Sequence, residues 1–140
     1  MTPAWTAAIL KSRAFQIFAR VVLTTPFWAA GLQHAMQWNS SLGEMAHFGL
    51  NPPALFLVAT IVTCLAGSAL VIAGGRWAWL GAGALGVFTA LTIPIAHAFW
   101  NMTGDAAMGE FRTTIEHVSI IGGMMIVAIL LNGGPQQAKT

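Results

Sequence analysis

The sequence predicts an all-α membrane protein, an up-down antiparallel bundle of four transmembrane helices, and three observations predict it. Hydrophobic residues make up 56% of the 140-residue chain and charged residues 7%, with a mean hydropathy of +0.72. Soluble domains carry about 25% charged residues. Four apolar stretches are each long enough to cross a hydrocarbon core of about 30 Å as helix, the conformation that satisfies backbone polar groups without water. The longer segments between them collect Gly, Asn, Ser and acids, the composition of solvent-facing turns. Residues 1–140 are read as a single integral membrane domain.

The first span runs over about 15–36. Lys11 and Arg13 precede it as they would a signal peptide, but Arg20 interrupts the apolar run, so the segment is read as a retained helix. The second covers 53–74 and the third 77–100. They are joined only by Gly74-Gly75-Arg76 and must be antiparallel neighbours. The fourth covers about 111–131. In the first long link, Leu42, Met45, Ala46 and Phe48 suit a short interfacial helix. Pro26 and Pro94 lie inside spans, where a missing N–H and a ring clash kink a helix. Ala78, Ala82, Gly86, Ala90, Pro94 and Ala98 recur every four residues along the third span, a smooth ridge for close packing in lipid; Ala59, Thr63 and Gly67 form a similar row on the second.

Charge sets the expected orientation, because Lys and Arg accumulate on the cytoplasmic side. Lys11, Arg13, Arg20, Arg76 and Lys139 fall on one side of a four-span chain and only Arg112 on the other, so both termini are expected in the cytoplasm. Six basic residues spread over the whole chain make no patch for nucleic acid. The single cysteine, Cys64, excludes a disulfide framework and a CxxC redox pair. Trp5, Trp77 and Trp79 mark the inner boundary, and Trp38 and Trp100 the outer. Trp28 lies deeper, either facing lipid or packing in the core.

All four histidines and all four acids fall on the outer side of this topology. His34 ends the first span, His97 lies near the outer end of the third beside Pro94 and Asn101, and His117 opens the fourth. Val118 to Leu131 is an uncharged run of about 21 Å, too short to cross alone, so Glu116 and His117 are expected about one turn inside the membrane. An intramembrane ionisable group normally faces the bundle interior with a partner. Arg112, His34 and His97 are the candidate partners of Glu116.

Three roles fit this cluster. It can be a polar network that pins helix ends. It can be a redox or ligand site, because imidazole beside a carboxylate can hydrogen-bond a quinone carbonyl or pass on its proton. It can also hold a metal or haem, although no HExxH or CxxCH spacing is present and no metal ligand is assigned. The candidate cofactor-binding residues are His34, His97, Trp100, Arg112, Glu116 and His117; no catalytic residue is assigned.

Gly31-Leu32-Gln33-His34 closing the first span, Gly49-Leu50-Asn51-Pro52 before the second, and Gly74-Gly75-Arg76 between spans form an ordered set of motifs. His97-Ala98-Phe99-Trp100 and Ile115-Glu116-His117 with Gly122-Gly123 continue it. From Phe15 to Leu131 the chain resembles the DoxX family of small four-helix bacterial inner-membrane proteins. That family takes its name from a relative of a membrane subunit of a thiosulfate:quinone oxidoreductase, so the resemblance implies a link to membrane redox complexes. The chain departs from many members at two places: Cys64 and its neighbours stand where those carry a glutamate, and Glu116-His117 stands where they carry Lys-Asn.

Two functions follow as expectations. One is a redox-linked inner-membrane subunit with a quinone at the outer cluster. The other is a non-catalytic accessory or scaffold subunit that packs against other membrane subunits through the ridge of the third span. A small transporter is the third reading, but no inverted repeat supports it.

Overall fold

The computed structural model describes residues 3–132, and among them every regular element is helical. A short helix α1 (Ala4–Lys11) precedes the first span, α2 (Arg13–Met36). Ser12 separates them: its backbone is extended, and its hydroxyl accepts the Phe15 N–H at 3.2 Å, capping α2 two residues before the apolar run begins. α2 continues through Pro26. Trp28 is half-buried, and its indole N–H reaches back across the proline turn to the Val21 carbonyl at 3.3 Å. Its polar edge is therefore satisfied within its own helix.

α3 (Trp38–His47) is the short helix expected in the first link, but its inward face is Ser41 and Met45, one turn apart, rather than the whole apolar set. α4 (Pro53–Ala73) opens on a proline, which lacks only an N–H that the first helical turn leaves unpaired anyway. α4 and α5 (Ala78–Ala96) are linked through Gly74 and Gly75, both at positive φ. That left-handed backbone reverses the chain within four residues.

Two boundaries differ from the sequence expectation. The third span does not stay helical to residue 100: α5 stops at Ala96, His97 leaves the helix at φ −123 and ψ 37, and Phe99–Asn101 forms a separate 3₁₀ turn. Pro94 explains the weakness of the last turn, since it cannot donate to the carbonyl four residues back. His97 is therefore not on a helix face shared with Asn101. The fourth span is preceded by two further turns, because α6 runs Gly104–Asn132. Gly104 at φ +66 makes the turn, Asp105 complements the helix N-terminus, and Ala106 to Glu110 are mostly good helix formers.

The spans pack in chain order, α2 on α4, α4 on α5 and α5 on α6. Phe27, Cys64, Val71, Ala82, Leu85 and Met124 form a core drawn from all four. Lipid supplies no hydrophobic drive between helices, so contact depends on close approach. α4 and α5 meet at Gly67 and Gly81: a Cβ on Gly81 would lie 2.7 Å from the Gly67 carbonyl oxygen and 2.8 Å from the Leu70 Cβ. α2 meets α4 at Gly31, where a Cβ would lie 2.9 Å from the Leu65 side chain. Of the expected ridge on α5 only Ala78 and Ala82 are buried; Gly86 and Ala90 border an open groove against α6.

Charge divides the bundle by end. Lys11, Arg13, Arg20 and Arg76 lie at one end, and the described acids and histidines at the other. Lys139 lies outside the described residues. The Arg20 guanidinium packs directly on Gly74 at the C-terminus of α4, where the helix dipole favours a cation.

Gly81→Val is expected to cost about 1–3 kcal/mol in reversible unfolding from detergent micelles, because the obstruction is backbone and cannot yield. Gly83→Ala, two residues away with nothing within 4 Å of its Cβ position, is expected to be neutral or stabilising.

Candidate functional site

Beyond the Gly67–Gly81 contact, the other halves of α4 and α5 border a cavity of about 570 Å³. Phe56, Ala59, Thr60 and Thr63 line it from one stripe of α4, and Phe88, Leu91, Thr92 and Ile95 from one stripe of α5. Phe27 and Cys64 reach it from the core. Phe56, Leu91 and Ile95 are 38, 56 and 42% exposed, so this wall also forms the outside of the bundle and the cavity opens sideways between α4 and α5. In a bilayer that opening faces the hydrocarbon.

The polar groups lie at the end of the cavity near the links. His97, His117, His34 and Glu44 line it there. His97 Nδ1 is 2.7 Å from Glu110 Oε2. Against an ionised carboxylate, which only accepts, Nδ1 carries the hydrogen and Nε2 has no hydrogen-bond partner among the described residues. His117 Nδ1 is 2.9 Å from the Thr113 carbonyl oxygen, again an acceptor only, which fixes the same assignment. The two rings meet edge to face with centroids 4.7 Å apart. His34 Nδ1 lies 3.0 Å from Ser41 Oγ and 3.9 Å from Glu44 Oε2. Each of the three imidazoles thus has one nitrogen held by the protein. Those bonds fix ring orientation, and the other nitrogen of each ring has no hydrogen-bond partner among the described residues.

The three histidines expected at one depth all line this cavity, and the carboxylate that meets His97 is Glu110 instead of Glu116. Glu116 is exposed, does not line the cavity, and makes no ion pair with Arg112 or with a histidine among the described residues. Glu116 precedes His117 by one residue and so sits about 100° around the helix from it. Glu110 lies two turns before His117 and so on the same side of α6 as the histidine. Reading residues 101–110 as a loop hid that relation. Arg112 is exposed as well, and Trp100 stands on the 3₁₀ turn, exposed and edge to face with Phe99 rather than in the cavity. Ser41 and Glu44 were missed because their approach to His34 depends on the turn at Gln37 between α2 and α3. Among the described residues no three His, Cys, Asp or Glu side chains converge to hold a metal ion.

The DoxX family profile matches residues 15–98, more than half of the chain, from α2 through Ala98. The chain is also 28% identical over 114 residues to the inner membrane protein YphA of Escherichia coli (strain K12), covering 81% of this chain and 80% of that one. No solved structure matches.

Imidazole ¹⁵N spectra at alkaline pH are expected to show His117 as the Nδ1–H tautomer, assigned by loss of its signals in His117→Asn; an Nε2–H tautomer would contradict the bond to Thr113. Glu110→Ala is expected to lower stability by about 1 kcal/mol, modest because the pair is partly exposed, and to release the His97 ring from its single orientation in the same spectra.

Proposed function

The chain belongs to the DoxX family, and from that premise we propose that it is a redox-linked inner-membrane subunit that holds a quinone in the cavity beneath His97 and His117. The observation that carries this reading is an apolar cavity with a lateral opening and a histidine pair at its polar end. Its size is within the range of about 300–1,000 Å³ usual for small-molecule sites. A ligand that fits is lipid-soluble, enters between α4 and α5, and carries oxygen atoms at its head.

The chemistry of the head group follows from the two free Nε2 atoms. A neutral imidazole accepts a hydrogen bond or a proton from a quinol hydroxyl; a protonated one donates to a quinone carbonyl. The Glu110 carboxylate, 2.7 Å from His97 Nδ1, holds that ring in one orientation. His34, backed by Ser41 and Glu44, supplies a third polar group on the α2 side.

Its relative is named an inner membrane protein, and the four helices among the described residues that are long and apolar enough to span agree with a multi-pass protein of that membrane. The basic end of the bundle faces the cytoplasm by the positive-inside rule, so the histidines lie toward the outer surface. One observation favours the accessory role instead. The groove of about 300 Å³ between α5 and α6, bordered by Gly83, Gly86, Ala90 and Ala128, leaves small side chains exposed where a helix of a larger subunit can approach.

Protein extracted gently from membranes is expected to carry quinone at near one per chain. His97→Ala with His117→Ala is expected to lower that occupancy at least tenfold, and Thr63→Phe to block it by filling the cavity. Glu116→Gln, outside the cavity, is expected to retain it. Lack of quinone in the unaltered protein together with comigration with larger membrane subunits would replace this reading by the accessory one.

A further inference from the structure

Arg112 and Glu116 are charged residues of the fourth span that the cavity does not use. Both are exposed, one turn apart, and neither has an ion-pair partner among the described residues. Their depth makes this costly. From His117 to Asn132, α6 extends about 24 Å, less than a hydrocarbon core of about 30 Å. Pro135, Gln136 and Gln137 follow in the sequence and do not suit hydrocarbon. Glu116 therefore lies within the core on the outer surface of the bundle, where a lipid-facing carboxylate is strongly disfavoured.

The same face continues through Ser119, Gly123, Ile126 and Leu130. From Arg112 onward the intervals alternate four and three, the 3.5-residue seam of a left-handed helix pair. Ser119, Ile126 and Leu130 are exposed, and α6 is the least buried of the four spans. Gly123 is half-covered because its Cβ direction meets Leu23 of α2 at 3.1 Å, so the open part of the stripe is Arg112, Glu116, Ser119, Ile126 and Leu130.

We propose that this stripe is the seam of a homodimer, α6 against α6 of a second copy about an axis along the membrane normal, with each Glu116 paired to Arg112 of the other copy. The stripe carries both signs of charge about 6 Å apart along the axis, so a two-fold operation satisfies all four charges with two ion pairs. Both side chains are long enough to cover that offset. Ser119 at the middle is small enough to let the backbones approach, and the aliphatic residues below complete the contact. The seam lies away from the cavity opening between α4 and α5, so the dimer leaves that opening clear whatever occupies it.

Native mass spectrometry from lipid nanodiscs is expected to show a dimer. Glu116→Arg alone should reduce the dimer fraction at least tenfold, and Arg112→Glu with Glu116→Arg should restore it. Ser119→Cys should form an intermolecular disulfide under mild oxidation in membranes, while Val22→Cys, exposed on α2, should not; Cys64 is buried and does not compete. A monomer in nanodiscs, a dimer insensitive to the single reversal, or crosslinking of Ser119→Cys only to a different polypeptide would each overturn the proposal.

Discussion

The close approach of α4 and α5 at Gly67 and Gly81 is the contact on which the rest of the bundle depends. Lipid removes the hydrophobic effect as a force between helices, so what remains is van der Waals contact, and that grows with proximity. Two glycines facing each other bring the backbones together in one half of the bundle, next to a core of Cys64, Val71, Ala82 and Leu85. In the other half the facing stripes are built from Phe, Leu, Ile and Thr, and there the cavity begins. A tight crossing at one end and bulky, unfilled packing at the other are two consequences of the same residue distribution.

The polar end is organised by helix boundaries. α5 gives up its last turn after Pro94, which frees His97 from the helix, and α6 begins two turns early at Gly104, which raises Glu110 to meet it at 2.7 Å. Neither change is large in sequence, yet together they turn a histidine at a helix end into a carboxylate-backed imidazole beside a second histidine. The hydrogen-bond acceptors are a carboxylate and a main-chain carbonyl, so both rings are held with their second nitrogens uncommitted. That is a prerequisite for moving protons at a bound ligand.

α6 separates the charges at the histidine end of the bundle into two groups. Glu110, Thr113 and His117 face the bundle, whereas Arg112 and Glu116 face away from the cavity. A helix turns 100° per residue, so adjacent residues such as Glu116 and His117 serve different surfaces. The proposed ligand site draws on the inward group and the proposed dimer seam on the outward one.

The sequence by itself determined the class of fold, the four spans, the short α3 helix and the gathering of histidines and acids at one end. Those follow from length and polarity, because hydrocarbon tolerates only satisfied backbone and few charges. It also put His34, His97 and His117 at similar depth, since their positions along the spans set it. Which carboxylate met them was decided only by tertiary structure. Glu116 was nearer in sequence and Glu110 lay in an apparent loop, but the helical phase of α6 and the early end of α5 brought Glu110 inward and left Glu116 outside. The cavity was equally invisible, because a void is set by how two stripes diverge from a distant glycine contact and not by the residues of either stripe alone.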